Sequence, residues 1–160
     1  MKGWNFMINM YSLRLNEDKI PYLCKEREVA YDENCRMQTP QAIVDMVNGC
    51  FDLKHLAEEH VIMLGLDSKK NIIGLFDTSH GSLASAECSP NNVMKRALLC
   101  SAATIILAHN HPSGDAEPSH DDIVVCENIK EAGKLIGIKL DDFIVIGGDE
   151  YYSFFEEKLF

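Results

Sequence analysis

The sequence predicts an α/β fold: a mixed β-sheet flanked by helices. Three observations carry this. Short, nearly continuous apolar runs of strand length, His60–Asp67 and Thr104–Ala108, alternate with stretches of helical period. Helix starts are written as a capping residue followed by proline at Thr39-Pro40 and Ser89-Pro90. The run from Glu59 and the run Ile72–Phe76 flank a polar turn, Ser68-Lys69-Lys70-Asn71, which reads as a hairpin and so excludes a purely parallel sheet.

A chain of 160 residues suits one domain with a short appendage, and 46% hydrophobic residues are enough to bury a real core. We divide it into an N-terminal extension, 1–36, and a main domain, 37–160. The formal net charge of −10 is uneven. Residues 1–36 carry six basic and six acidic side chains, which leaves 15 − 6 = 9 basic against 25 − 6 = 19 acidic in 37–160. Such a field repels a phosphate backbone, so direct nucleic-acid binding is not expected. The N-terminus, MKGWNFMINMYSLRLNEDK, is broken by polar residues and does not read as a signal peptide, and no apolar stretch reaches membrane-spanning length. Cysteines at 24, 35, 50, 88, 100 and 126 are scattered with no CxxC pair, which fits free thiols in a reducing cytoplasm.

Within the extension, alternating Tyr11, Leu13 and Leu15 and the break at Pro21 suit one or two short strands. They lie either on a sheet edge or in a segment that docks elsewhere; the residues leave both open. The helix from Pro40 places Ala42, Ile43, Met46, Val47 and Cys50 on one face and weakens or ends near Gly49, with a further turn over 52–58. The helix from Pro90 carries Val93, Met94, Ala97 and Leu98 on one face, with Ala102 a further candidate. Ser119 caps a third, with Val125, Ile129, Ala132 and Ile136 at helical spacing. Strands are expected over Lys139–Ile146 and Tyr151–Phe155, separated by Gly147-Gly148-Asp149.

The chemistry concentrates in AHNHPSGDAEPSHDDI, Ala108 to Ile123. If the strand from Thr104 continues into His111, the period of two puts His109 and His111 on one face. Asp122 falls in the first turn of the Ser119-capped helix, where the positive end of the helix dipole favours its ionised form. Two imidazoles and one carboxylate make a three-ligand zinc site with a fourth position left for water, whose pKa zinc lowers to about 7. Such a site needs a base. Glu59, with Glu58 as the alternative, stands at the head of the apolar strand, an expensive place for an unpaired charge. Ser119 has two jobs available: helix cap and donor to an oxyanion. Ser113, Gly114 and Asp115 shape the loop, and His55, His60, His80 and His120 have no ligand context.

HNHPSGDAEPSHDD resembles the H-x-H-P…S-x-x-D signature of the JAMM (JAB/MPN+) zinc metallopeptidases, in the form of the RadC-like branch. The resemblance runs from about Glu58 to Phe160 and includes LDSKKNIIG, AATIILAHNHPSGD and GIKLDDFIVIG. It implies a cytidine-deaminase-like fold and hydrolysis of peptide or isopeptide bonds by a zinc-activated water. Carried onto this sequence, His109, His111 and Asp122 are the Zn²⁺ ligands, Ser119 stabilises the oxyanion, and the upstream glutamate falls on Glu59, or on Glu58. Full-length RadC proteins look as if they place a helix-hairpin-helix region ahead of this domain. No G-x-G hairpin is recognisable here, so the chain is more like the short stand-alone RadC-like proteins, some associated with mobile elements. The alternative function is a non-enzymatic, metal-binding accessory in DNA repair or mobile-element DNA processing.

Overall fold

The computed structural model describes residues 5–32, 39–81 and 88–159. Its centre is a seven-stranded sheet of order β2-β1-β4-β3-β5-β6-β7. The strands are β1 (Asn5–Leu15), β2 (Pro21–Asp32), β3 (Glu59–Leu66), β4 (Ile72–Gly81), β5 (Thr104–Asn110), β6 (Lys139–Gly147) and β7 (Glu150–Ser153). β1 runs parallel to β4, and β5 runs parallel to β6; the other neighbours are antiparallel. The sheet is therefore mixed, as the hairpin turn at Ser68–Asn71 required. The region left open in the sequence proves to be a hairpin, β1–β2, at one edge of this same sheet.

Helices cover both faces. α1 (Pro40–Phe51) is capped by Thr39, whose side chain accepts from Ala42 N–H. Its Ile43, Met46, Val47 and Cys50 pack with Ile62, Leu64, Ala108 and Ile144 on one face. α2 (Pro90–Leu99) and α3 (His120–Ile136) bury Val93, Met94, Ala97, Cys126 and Ile129 on the other, against Val61, Met63, Leu107 and Val145. Strand alternation thus sorts each central strand into two cores. No described helix is long and apolar enough to cross a membrane.

Several boundaries differ from expectation. α1 passes through Gly49 and ends at Asp52, which takes the left-handed conformation (φ 54°) that stops a helix. β4 runs on to Gly81 because Asp77–His80 keep pairing with β3 through a bulge, where the Thr78 hydroxyl donates to the Val61 carbonyl. β7 stops at Ser153; the next residues turn back, and the Phe155 N–H donates to the buried Asp142 carboxylate. On α3 the inward stripe is Asp122, Cys126, Ile129 and Gly133, and Ile136 is 45% exposed. Val125 and Ala132 pack beside that stripe, and the Asp122 carboxylate is buried with it at the head of the helix. α2 ends at Leu99, with Leu98 exposed. Cys24, Cys50, Cys88, Cys100 and Cys126 are free thiols; Cys35 lies outside the described residues.

Candidate metal centre

The site forms where β5 ends and α3 begins. β5 leaves its pairing with β3 near His109, but the His111 N–H still donates to the Ile146 carbonyl of β6 at 2.8 Å. The chain therefore stays extended through His111, and both imidazoles leave the same face. Their Nε2 atoms stand 3.1 Å apart. His109 Nε2 is 3.0 Å from Asp122 Oδ1, and His111 Nε2 is 3.3 Å from Asp122 Oδ2. Ligands about 2.0–2.1 Å from a zinc ion at tetrahedral angles lie roughly 3.3–3.4 Å apart, and the two nitrogens stand at separations of that size from each other and from the carboxylate, each nearest a different oxygen. His109 and Asp122 are wholly buried, and the His111 side chain is 12% exposed, which leaves the group open on one side.

Two of the three candidate ligands are oriented from behind, His111 and Asp122. His111 Nδ1 lies 2.8 Å from the Asp115 carbonyl, which accepts its proton and leaves the Nε2 lone pair facing the carboxylate. Asp122 occupies the third position of α3 in a reciprocal cap. Its Oδ2 accepts from Ser119 N–H at 2.6 Å, while Ser119 Oγ accepts from Asp122 N–H at 3.1 Å. Asp122 Oδ1 and His109 Nδ1 are buried and make no hydrogen bond with the described residues. A buried carboxylate whose Oδ1 faces only a histidine ring nitrogen, at 3.0 Å, is an environment a cation completes. Burial opposes ionisation of Asp122, but His109 and the two hydrogen-bonding groups of Ser119 outweigh it and hold the carboxyl down at about 2. Burial lowers the His109 imidazole against the pull of Asp122, keeping it neutral, as a ligand must be.

Glu59 opens β3, two residues before Val61, the residue paired with His109. By alternation Glu59 shares the face of Val61 and of the histidines, half-buried, and its charge acts on His109. Glu58 lies before the strand and is exposed. Gly114 takes a positive φ of 83° in the loop, and Asp115 Oδ1 accepts from Glu117 N–H at 3.0 Å. Of the remaining histidines, His55 and His60 pair with Asp52 and Asp77, and His80 and His120 are exposed.

The histidines and aspartate were predicted together and are found together. Three supporting groups carry no mark in the sequence: the Asp115 carbonyl, the Asn110 side chain and Gly147. Nor does Cys88, which is buried, hydrogen-bonded to Ser79 and subject to the negative charge of Asp122. Burial pushes its thiol up to about 11, so it stays protonated beside the ligand group. A cavity of about 760 Å³ lies at the other end of α3, lined by Lys130, Lys134, Lys139 and Lys158 over Phe155, and takes no part in the metal group.

Residues 37–159 match the family model described as the RadC-like JAB domain. The chain belongs to that family. Among curated relatives, a UPF0758 protein of Pelobacter propionicus is 40% identical over 121 residues, covering 76% of this chain and 52% of its own length. A UPF0758 protein of Methanococcoides burtonii is 46% identical over 104 residues, 65% of this chain and 45% of its own. One from Bacillus licheniformis is 37% identical over 134 residues, 84% and 56% respectively. The chain spans about half the length of these relatives. The JAB-family match and the buried His-His-Asp group agree on a site able to bind a metal.

Proposed function

We propose that the chain is a zinc-dependent hydrolase of peptide or isopeptide bonds, with His109, His111 and Asp122 holding the metal. The observation that carries this reading is the convergence of two Nε2 atoms and a carboxylate within 3.0–3.3 Å, with Glu59 on the same face. A zinc ion bound there supplies a Lewis acid and makes a water acidic enough to lose its proton near neutral pH.

The residues divide the remaining work. Glu59, at the edge of the buried face, takes the proton of the attacking water on a carboxylate oxygen and returns it to the leaving amine. Ser119, fixed at the helix start beside Asp122, donates its hydroxyl to the carbonyl oxygen as negative charge develops there. Asp122 and the tautomer of His111 keep the ligand set anionic by one charge, so bound zinc retains positive charge toward the substrate. We place the protein in the cytoplasm, where its thiols stay reduced.

The test combines metal analysis with hydrolysis of a peptide and isopeptide library. Wild type is expected to bind about one zinc per chain and to cleave at least one substrate class. Glu59→Gln should keep the zinc and lose cleavage, and His109→Ala should lose both. Full cleavage by Glu59→Gln would remove Glu59 from the mechanism. Metal binding with no cleavage across the library would favour an accessory role.

A further inference from the structure

Asn110 sits between the two histidine ligands, on a strand position whose side chain alternates away from theirs, and is 1% exposed. In the β3–β5 register, with Val61 opposite His109, the next pair outward would be His60 and Asn110. The Asn110 carboxamide makes that link with its side chain. Its Oδ1 accepts from His60 N–H at 2.8 Å, and its Nδ2 donates to the Glu58 carbonyl at 3.0 Å. Those two groups belong to the peptide units on either side of one residue, Glu59.

We propose that Asn110 is a positioning residue for Glu59: its carboxamide, hydrogen-bonded to the peptide groups before and after Glu59, fixes the backbone from which that carboxylate reaches the metal group. The proposal rests on Glu59 acting as the base. Clamping both flanking peptides restrains φ and ψ of Glu59 together, and with them the direction of its Cα–Cβ bond. A carboxamide suits the task because it carries a donor and an acceptor in one plane, as a peptide group does. Aspartate in its place would still accept from His60 N–H but would set a carboxylate against the Glu58 carbonyl. Alanine would supply neither bond.

The same residue joins the two parts of the site by the shortest route. His109 and His111 ride on its backbone neighbours, and Glu59 rides on the peptides held by its side chain. The opposite edge of β3 is paired independently with β4, from Glu59↔Gly81 onward, so the strand does not depend on Asn110 for its existence. Loss of the carboxamide should loosen the head of β3 without dissolving it. The histidines keep their own anchors, since His111 N–H bonds to Ile146 and His109 lies in the β5–β6 ladder.

The experiment uses the full chain, loaded with zinc, as wild type, Asn110→Ala, Asn110→Asp, Glu59→Gln and the Asn110→Ala/Glu59→Gln double variant. In Asn110→Ala, hydrogen exchange at the His60 amide should rise at least about tenfold while Met63 and Leu64 stay protected. Zinc affinity should stay within about threefold of wild type, because no ligand has moved. Against a cleaved library peptide, kcat should fall about 30- to 100-fold with KM unchanged, the size expected of a misplaced catalytic group. Asn110→Asp should fall between wild type and Asn110→Ala. The double variant should be no slower than Glu59→Gln alone, since Asn110 acts through that carboxylate. Unchanged His60 exchange, loss of zinc from Asn110→Ala, or multiplication of the two single effects would each overturn the proposal. If wild type cleaves nothing in the library, the hydrolase reading fails separately. The hold on Glu59 is then decided by exchange alone: acceleration confined to the head of β3 supports it, and none overturns it.

Discussion

Gly147 lies directly against the peptide that steers His111. A β-carbon built on Gly147 would stand 2.5 Å from the Asp115 carbonyl carbon and 2.3 Å from the Ala116 nitrogen. That carbonyl accepts the proton of His111 Nδ1. The end of β6 is bare where the loop after His111 rests on it.

Gly147→Ala should therefore displace the Asp115 carbonyl and weaken metal binding, by about 10- to 100-fold in zinc affinity, the cost typical of losing a group that orients a ligand. Gly133→Ala is the matched control. Its β-carbon would meet the Ile138 carbonyl oxygen at 2.2 Å, an equal clash far along α3 from the ligands. Both variants should melt earlier, and only Gly147→Ala should lose zinc affinity beyond the loss of fold, as read by zinc titration of the folded protein.

Asp122→Asn separates the metal from the helix. Asparagine still offers an oxygen to Ser119 N–H, so α3 keeps its cap, while the anionic ligand is gone. Wild-type protein should gain about 2.7 kcal/mol of stability when free zinc is a hundredfold above its dissociation constant. The variant should gain almost none under the same conditions. Thermal melts with and without zinc measure both.

Ser119→Ala removes the acceptor for Asp122 N–H and should cost the metal-free protein about 1 kcal/mol. Ser119→Thr keeps an acceptor of the same kind and should stay within about 0.5 kcal/mol of wild type in the same denaturant titration.

Asp142 supplies a pH dependence unrelated to the metal. Burial pushes its carboxyl up, against the pull of Ser153 Oγ–H and of the Phe155 and Phe143 N–H groups. A folded pKa above the unfolded value means that the folded state binds the proton more tightly. Asp142 therefore contributes least to stability when ionised, and that cost appears as pH rises from 3.8 through the raised value. Asparagine at 142 can accept both N–H groups and does not titrate. The stability of Asp142→Asn relative to wild type should rise with pH over that window, measured by chemical denaturation from pH 3 to pH 7, a span of about four units. A flat difference would remove Asp142 as the source.

Much of the site was legible because it is local. His109, His111, Ser119 and Asp122 lie on one strand–loop–helix, so strand period and a helix cap were enough to bring them together. What stayed hidden depends on non-local approach. The role of Asn110 follows from which peptides of β3 lie beside it, and that of Gly147 from a loop folding onto β6; neither leaves a periodic trace. The hairpin β1–β2 could not be placed because alternation reports a half-buried strand without naming its neighbour. On α3 the apolar spacing found Val125, Ile129 and Ala132, which do pack on the core, but it ran one turn too far, to the exposed Ile136, and did not show that Asp122 shares the buried side. Likewise, Lys130, Lys134, Lys139 and Lys158 are spread along the sequence and gather only when α3, β6 and the C-terminal turn meet.

The way β1 joins the sheet has a consequence for how the molecule comes apart. β1 and β2 pair along their length, but β1 meets β4 in register only at Met10↔Leu75 and Tyr11↔Phe76, with the Tyr11 ring stacked 5.5 Å from Phe76. Arg27 adds a tie to the Cys50 carbonyl at the end of α1. The ladder to β4 is short, but Ile8 and Met10 are buried in one core with α1, so the hairpin can open as a unit only by exposing them, while β3, β5 and β6 remain joined. The histidines, Asp122 and Glu59 all stand outside that hairpin, so the candidate metal group would keep its framework if this edge of the sheet opened.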